Sequence, residues 1–367
     1  MVIFAQKRKI LIFALVILIA LSLSRTIFLL WNSFLPDFST RYDSAVLLFH
    51  KANPYLNFKS FTPENYPPSF LLLLYPLIQL PLALASKIWL LIITLCLFVS
   101  LLLLYKIKPI SSLKLAIITF FAIISFPFKF TLGMGQTNLI LLLLICLFTY
   151  KIIKGRYLLA GIFLSLSIVI KLTPLLFIPY LFTNRNTRTL IFSFLSLLVF
   201  LLIPFFLFGK DINIYYFNQI FLPLVKDPAG GVYYNQSITG FFSRLSLDVS
   251  LLNITRIAIV YLSFWTILKK KMGYFSAISL LTIVFLLINN FTWQHHLILL
   301  IIPFYFLITR KKYLQSLISY SFIFFNIKNV AIYNQNLLGN IFLSHGFIGM
   351  LILWLIFVWS LKKSEIK

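Results

Sequence analysis

The sequence has few charged residues and very few acidic ones. Only 11% of its 367 residues are charged and Asp and Glu together number 7, whereas 61% of the residues are hydrophobic. An average soluble domain has about 25% charged and about 45–50% apolar residues. A water-soluble protein of this size could not bury so much apolar surface, so the composition excludes a soluble enzyme. It predicts an integral membrane protein with many spans and no separate soluble domain.

Several signatures of binding and catalytic sites are also missing. The two cysteines, Cys96 and Cys146, lie in separate apolar runs without metal-ligand spacing, and they cannot form a disulfide framework. The sequence has no Walker loop, no dinucleotide-binding glycine motif, no Gly-x-Ser-x-Gly and no Asp-x-Asp. We therefore expect no metal, no cofactor and no nucleotide substrate. The formal charge of +25 does not indicate nucleic acid, because the bases occur in small groups between apolar runs.

The apolar runs predict an all-α polytopic membrane protein, a single domain over residues 1–367 with about 11–13 transmembrane helices. A span takes about 20 residues, and the runs lie near 10–31, 85–105, 111–130, 138–153, 157–172, 174–184, 189–208, 249–268, 273–289, 295–309, 313–327 and 346–361. The first run follows three bases as in a signal peptide, but its length and the lack of a cleavage site indicate an uncleaved span. Ser69–Leu82 contains two prolines and predicts an interfacial or re-entrant helix.

The bases predict the orientation of this bundle. With the N-terminus inside, most of the 32 Lys and Arg residues fall on the inner side, and every inner loop is short and basic. We therefore expect a multi-pass protein of the plasma membrane with both termini cytoplasmic. The two longest loops, about 32–84 and 209–248, are then outside, and so are all the acidic residues except Glu365, namely Asp37, Asp43, Glu64, Asp211, Asp227 and Asp248.

The densest polar clusters fall on the same outer face. They are Gly133–Asn138, Lys171–Pro174, Asn235–Ser237 and Trp293–His296. Scattered polar residues would occur on both faces, whereas these gather on one. A polar site at the outer membrane face is the simplest explanation.

Asp37 follows the first span closely, so its carboxylate is expected at membrane depth beside an outer cavity. Its functional interpretation is a general base that accepts a proton from an incoming hydroxyl. The alternative is a solvated carboxylate at a helix end or in a loop. Asp43, six residues later, is the nearest rival for the base.

Two further positions carry groups that suit an anion. Lys171 interrupts an apolar run, where a lysine costs roughly 2.5–3.5 kcal/mol, so we expect it either to hold an anionic group or to snorkel to the interface. His295 and His296 open another span, and their ordinary pKa suits proton or phosphate chemistry. Adjacent histidines on a helix point apart, which argues against a shared metal. Arg41 and Arg244 are further candidates.

Together these clusters resemble glycosyltransferase family 87, the polyprenyl-phosphate-sugar-dependent membrane transferases of the GT-C superfold. The resemblance runs along almost the whole chain and rests on Asp37-Phe38, Tyr42, Ala45, Asn53-Pro54-Tyr55, Tyr66-Pro67-Pro68, Gly135-Gln136-Thr137-Asn138, Ala160-Gly161, Lys171-Leu172-Thr173-Pro174, Asn235-Gln236-Ser237 and Trp293-Gln294-His295-His296. The chain departs from the family at Leu35-Pro36, where glycines are common, and near Ala52.

The resemblance implies a GT-C-like bundle whose outer loops form the active site. It also implies an inverting hexosyltransferase that moves a hexose, most familiarly mannose, from a polyprenyl-phosphate donor to a lipid-linked or glycan acceptor, with Asp37 as base. With that donor, we expect the phosphate at Lys171, His295 and His296, and sugar or acceptor contacts at Tyr66, Gln136, Asn138, Asn235 and Gln236. The competing hypothesis is a multispanning lipid or solute transporter or flippase, whose site would lie near the midplane, often between internal repeats. A scaffold of an envelope complex would leave Asp37 and Lys171 unexplained.

Overall fold

The structure, a computed structural model, describes residues 2–56, 64–226, 230–333 and 336–361. In these ranges the chain is helical and contains no strand, and an isolated antiparallel bridge joins Asn235 to Trp293. Together with the apolar helices described below, this confirms the all-α polytopic membrane fold. Asp227 and Glu365, which the orientation assigns to opposite faces, lie outside the described residues.

The helices of the described residues fall into two halves of the chain. The first half contains α1 (Val2–Leu30), α2 (Pro36–Phe49), α3 (Pro68–Leu72), α4 (Tyr75–Ile78), α5 (Leu82–Ile107), α6 (Ser112–Ile124), α7 (Phe126–Met134), α8 (Asn138–Ile153), α9 (Tyr157–Ile170) and, after a 3₁₀ turn at Thr173–Leu176, α10 (Phe177–Thr183). The second half contains α11 (Thr187–Phe208), α12 (Lys210–Tyr215), α13 (Leu222–Lys226), α14 (Ile238–Arg244), α15 (Val249–Lys270), α16 (Tyr274–Ile288), α17 (Ile301–Thr309), α18 (Tyr313–Ile323), α19 (Val330–Tyr333), α20 (Leu337–Leu343) and α21 (His345–Leu355). A 3₁₀ segment, Gln294–Leu300, leads into α17.

Fewer helices reach spanning length than the apolar runs predict. In the described part of the chain, α1, α5, α11 and α15 are long and apolar enough to cross a membrane. Counting the bent pairs α6–α7 and α20–α21 as one span each raises the number from 4 to 6. The other apolar helices are shorter, between 10 and 17 residues: Asn138–Ile153, Tyr157–Ile170, Thr173–Thr183, Tyr274–Ile288 and Gln294–Thr309. The described residues therefore contain 4 to 6 helices of spanning length, fewer than the 11–13 transmembrane helices that the apolar runs predict.

Local chain chemistry explains two of the helix breaks. Ser125 separates α6 from α7, where the chain bends by 54°; its hydroxyl caps α7 by accepting from the Phe128 N–H at 3.3 Å, and Pro127 lies in the first turn. α9 ends at Ile170, and a continued helix would press the ring of Pro174 against the Ile170 carbonyl four residues earlier. The apolar run therefore stops inside the bundle, beside Lys171.

The described part of the first long loop contains more helix than the sequence predicts. Pro36–Phe49 forms a helix of 14 residues that buries Phe38, Ala45 and Leu48 along one side. The expected interfacial helix at Ser69–Leu82 is instead two short helices, α3 and α4, each with a proline in its first turn. The prolines start new helices here because their fixed φ suits a first turn but not a helix interior.

The middle of the bundle is packed around α8, α9 and α11. α8 lies between α5 and α9, and α9 packs against α11. A Cβ on Gly161 would lie 2.7 Å from both the Phe192 Cβ and the Ser193 N, so only glycine permits this approach. Ser165 donates from Oγ to the Ser193 carbonyl oxygen at 2.6 Å across the same contact. Small residues that let two helices touch are typical of membrane proteins.

Candidate active site

Asp37 lies in the first turn of α2, shortly after the chain leaves α1. Pro36 precedes it in that turn, which suits proline because its ring fixes φ and its missing N–H would be unpaired there. A carboxylate in this turn lies near free N–H groups and the positive end of the helix dipole. The residue is buried, with 8% of its surface exposed. The start of α2 therefore fixes a carboxylate largely away from water.

Two side chains from different elements contact the Asp37 carboxylate. Gln136, in the turn between α7 and α8, donates a hydrogen bond from Nε2 to Asp37 Oδ2. Arg41, one turn along α2, brings Nη1 within 3.6 Å of Asp37 Oδ1. Asp43 is only half-buried, and six positions along a helix rotate a side chain by about 240°, onto another face of α2. Asp37 is thus the carboxylate that Gln136 holds.

Tyr66 orients both partners of Asp37. The Arg41 guanidinium carbon lies 4.3 Å from the centroid of the Tyr66 ring, so Arg41 covers one face of that ring. The Tyr66 hydroxyl lies 2.9 Å from Thr137 Oγ1 and donates to Gln136 Oε1 at 3.4 Å. Burial raises the pKa of the Tyr66 phenol, although Arg41 opposes the shift, so the group stays a hydroxyl. Tyr66 therefore steers the Gln136 amide towards Asp37.

A second buried carboxyl, Glu64, lies near the same arginine. The backbone N–H groups of Asn65 and Tyr66 donate to Glu64 Oε1, both at 2.8 Å. Burial raises the pKa of the Glu64 carboxyl, although Arg41 and those two N–H groups oppose the shift. Arg41 interacts electrostatically with both Glu64 and Asp37. Its interaction with two carboxyl groups was not evident from the sequence.

The turn that carries Gln136 depends on a glycine. Gly135 has φ +68°, in the left-handed region, and a Cβ there would lie 2.6 Å from the Phe38 Cβ. Trp89 stacks on Phe38 with ring centroids 5.1 Å apart and donates from Nε1 to the Gly135 carbonyl oxygen at 2.8 Å. The turn can therefore press closely against the first turn of α2, and this contact brings Gln136 to Asp37.

Asn138, two residues after Gln136, contacts Lys171. Lys171 follows the end of α9 in extended backbone and donates from Nζ to Asn138 Oδ1 at 2.7 Å. Its Nζ also lies 2.6 Å from His296 Nε2. Lys171 interacts electrostatically with Asp37 and Arg41 as well. One short turn therefore joins a carboxylate, held by Gln136, to an ammonium, held by Asn138.

His295 forms hydrogen bonds to this cluster through its backbone and not through its ring. Its carbonyl oxygen accepts from Thr131 Oγ1 and from Asn138 Nδ2, both at 3.1 Å. The ring packs edge-on against Phe130 and His296, with centroids 5.0 Å and 4.6 Å away. Both ring nitrogens are buried and without a hydrogen-bond partner in the described part of the chain. The ring is thus available to a polar group that enters the cluster.

A comparison with known protein families identifies the family of this chain. The model of glycosyltransferase family 87 matches residues 65–290, more than half of the chain. The chain belongs to glycosyltransferase family 87. No curated protein matches it. The matched range contains Gln136, Asn138 and Lys171, whereas Asp37 and the two histidines lie outside it.

Membership of this family identifies the protein as a membrane glycosyltransferase. The residues expected to form its site can now be compared with their positions in the structure. The structure brings together seven of them in one cluster, namely Asp37, Tyr66, Gln136, Asn138, Lys171, His295 and His296. Arg41, named from the sequence as a further candidate for the anion, also belongs to the cluster, and its spacing of four residues from Asp37 on a helix is the signal that the two side chains lie together. Trp89 and Thr131 have no such signal, because their contacts are made only by the folded chain.

The side chains of Asn235 and Gln236 form hydrogen bonds with other residues of this family 87 protein. Asn235 Oδ1 accepts from the Ser237 Oγ at 2.8 Å and from the Thr292 N–H at 3.1 Å. Gln236 Nε2 donates to the Leu343 carbonyl oxygen at 2.9 Å, and its Oε1 accepts from the Gly346 N–H at 2.9 Å. These bonds tie the second long loop to the segment before α17 and to α21. The sugar or acceptor role of both residues stays a prediction, and their visible role is to hold the loop.

Arg244, the other arginine considered for the phosphate, belongs to this second network. Its Nε donates to Ser344 Oγ at 3.0 Å and its Nη1 to the Asn235 carbonyl oxygen at 2.8 Å. No described contact joins it to Lys171 or Asp37. Arg244 therefore supports the second loop, and Arg41 is the arginine of the cluster.

Proposed function

We propose that the protein transfers a hexose, with mannose as the first candidate, from a polyprenyl-phosphate donor to a lipid-linked or glycan acceptor. The observation that carries the proposal is the Gly135–Asn138 turn, which joins the Asp37 carboxylate to the Lys171 ammonium through Gln136 and Asn138. Glycosyl transfer from a lipid phosphate needs both groups, because a hydroxyl must lose a proton while a phosphate gains charge. The family assignment favours a glycosyltransferase over the alternative of a transporter.

The proposed reaction is a single displacement with inversion. The acceptor oxygen attacks the anomeric carbon, and its proton passes to Asp37 as general base. The bond between the anomeric carbon and the phosphate oxygen breaks, and polyprenyl phosphate leaves with the electron pair. Lys171 binds that phosphate, with the unpaired His295 ring beside it. Cations already in place at the leaving oxygen stabilise the charge that develops there.

A transfer assay with purified protein tests this function. The protein is incubated with radiolabelled polyprenyl-phosphate mannose or polyprenyl-phosphate glucose and with lipid extract as the acceptor source. We expect label to enter product with release of polyprenyl phosphate, faster with one sugar than with the other. A nucleotide sugar serves as the control donor and should give no transfer. Transfer from the nucleotide sugar alone would contradict the proposed donor.

We also propose that the end of the bundle that holds this cluster faces out of the cell, across the plasma membrane. Val232, in the second long loop, has 51% of its surface exposed and can report on that face. A cysteine replacing Val232 should react with an impermeant thiol reagent in intact cells. A cysteine replacing Lys154, exposed in the basic connection after α8, should react only after permeabilisation. The reverse pattern would invert the orientation.

A further inference from the structure

A groove of about 540 Å³ lies between α1 and the bent pair α6–α7. Leu18 and Leu21 of α1 and Phe120 of α6 supply apolar lining, and Arg25 of α1 and Lys129 of α7 supply two cations. The lining residues of α1 are mostly exposed, so the groove opens sideways from the bundle rather than into it. A surface of this kind contacts lipid in a membrane protein.

The two cations of the groove have no hydrogen-bond or ion-pair partner among the described residues. Both side chains are exposed. A cation at a helix end near the membrane surface interacts favourably with an anionic lipid head group. Two such cations in one groove are therefore complementary to an anion that comes from outside the chain.

The depth of Arg25 suits a head-group phosphate. Arg25 lies five residues before the end of α1 at Leu30, which is about 7.5 Å along the helix. Arg8, in the basic group near the start of the same helix, is 17 residues earlier, or about 25 Å. The hydrocarbon core is about 30 Å thick, so the two arginines lie near opposite interfaces. Arg25 is at the end of α1 that leads to Asp37.

The groove is distinct from the candidate active site. Thr131, two residues after Lys129, donates to the His295 carbonyl oxygen inside the catalytic cluster. Two positions along a helix rotate a side chain by about 200°, so Lys129 lies on the opposite side of α7. A ligand in the groove therefore lies on the other side of α7 from the cluster and does not contact its reacting groups.

We propose that this groove binds an anionic phospholipid of the surrounding bilayer, with its phosphate held by Arg25 and Lys129 and an acyl chain along the apolar lining. Such a lipid joins α1 to α7 from outside. These helices run directly into the two segments that carry Asp37 and Gln136. A bound lipid thereby stabilises the contact between the base and the glutamine that holds it.

Native mass spectrometry of the full-length protein in neutral detergent tests the site. Dioleoylphosphatidylglycerol and dioleoylphosphatidylcholine are titrated against the wild type, and we expect the anionic lipid to bind at least about tenfold more tightly. The double variant Arg25→Gln and Lys129→Gln should lose that preference and keep its binding of phosphatidylcholine. The control pair, Lys210→Gln with Lys226→Gln, removes two exposed cations elsewhere and should behave as the wild type.

Three outcomes would overturn the proposal. Unchanged binding of phosphatidylglycerol by the double variant removes the two cations as ligands. An equal loss in the control pair shows attraction by net charge alone. Displacement of phosphatidylglycerol by an equimolar amount of polyprenyl phosphate assigns the groove to the carrier of the sugar donor. The measurement is of binding, so it stands apart from the transfer assay, and unchanged thermal unfolding of the double variant in phosphatidylcholine verifies its fold.

Discussion

Replacing Asp37 by Asn should lower the turnover of sugar transfer by about 10²–10⁴-fold while donor binding stays close to that of the wild type. A positioned general base contributes a factor of this size, because a neutral hydroxyl is a poor nucleophile. The amide is nearly isosteric, and its oxygen can still accept the hydrogen bond from Gln136 that the carboxylate accepts. The change therefore removes the proton acceptor with little change of shape. Single-turnover transfer and donor affinity, measured separately, check the two parts.

Asp43→Asn is the matched control for that variant. Both carboxylates belong to α2, but Asp43 is half-buried on another face of the helix. Its replacement should leave turnover within about a few-fold of the wild type, since positioned bases act only within hydrogen-bond reach of the proton. An inactive Asp43→Asn beside a nearly normal Asp37→Asn would move the base role six residues along the chain. Thermal unfolding of both variants shows whether a loss reflects folding instead, because Asp37 also pairs with Arg41.

The fold could be predicted from composition in outline but not in detail. Apolar runs give the position of helices, and the predicted span near 138–153 coincides with α8. Hydropathy cannot show where a run is broken inside the bundle, because that depends on Pro174 and on the cap at Ser125. It also missed that residues 36–49 form a buried helix. Their mixed polar and apolar pattern suits the inside of a polar site better than a lipid-facing span.

The site could be predicted as a set of residues but not as a network. Polar residues in apolar surroundings identified Gln136, Asn138 and Lys171, since such residues are costly in a membrane and rarely incidental. Their pairing depends on one left-handed glycine and on its contact with Phe38, which no spacing rule reveals. For the same reason the sequence did not distinguish Asn235, whose amide binds the protein's own backbone, from Asn138, whose amide binds a cation.

Replacing Lys171 by Ala should weaken donor binding and slow transfer together. Its ammonium can only donate hydrogen bonds, so His296 Nε2 accepts from it, and the other ring nitrogen interacts with the Phe291 carbonyl. His296 thus helps to orient the Lys171 ammonium, and its own part in binding the donor phosphate stays a prediction. Asn138 Oδ1 fixes the same ammonium from a second direction. A cation held this way meets the donor phosphate in both the ground state and the transition state.

The size of the Lys171→Ala effect follows from those two roles. Hydrogen bonds to charged groups contribute about 1.5–3 kcal/mol, so the donor Kd should rise by roughly 10- to 100-fold. Loss of a preorganised charge at the leaving oxygen should lower kcat by about 10²-fold. Lys171→Arg should recover part of the donor affinity because it retains the charge. Lys87→Ala removes a cation that contacts only the Trp31 ring in the described structure, at 5.4 Å, and serves as the control.

The variants together separate the phosphate role of Lys171 from a purely structural one. If the Lys171 side chain only filled space in the bundle, Lys171→Ala would lower thermal stability, and Lys171→Met, which keeps the apolar length of the side chain, would restore both stability and transfer. If it binds the leaving phosphate, Lys171→Met folds normally yet stays as slow as Lys171→Ala, because no apolar group stabilises the charge on polyprenyl phosphate. Normal donor affinity and normal turnover in Lys171→Ala would refute the phosphate role and leave this lysine as a side chain that reaches from a helix end towards water.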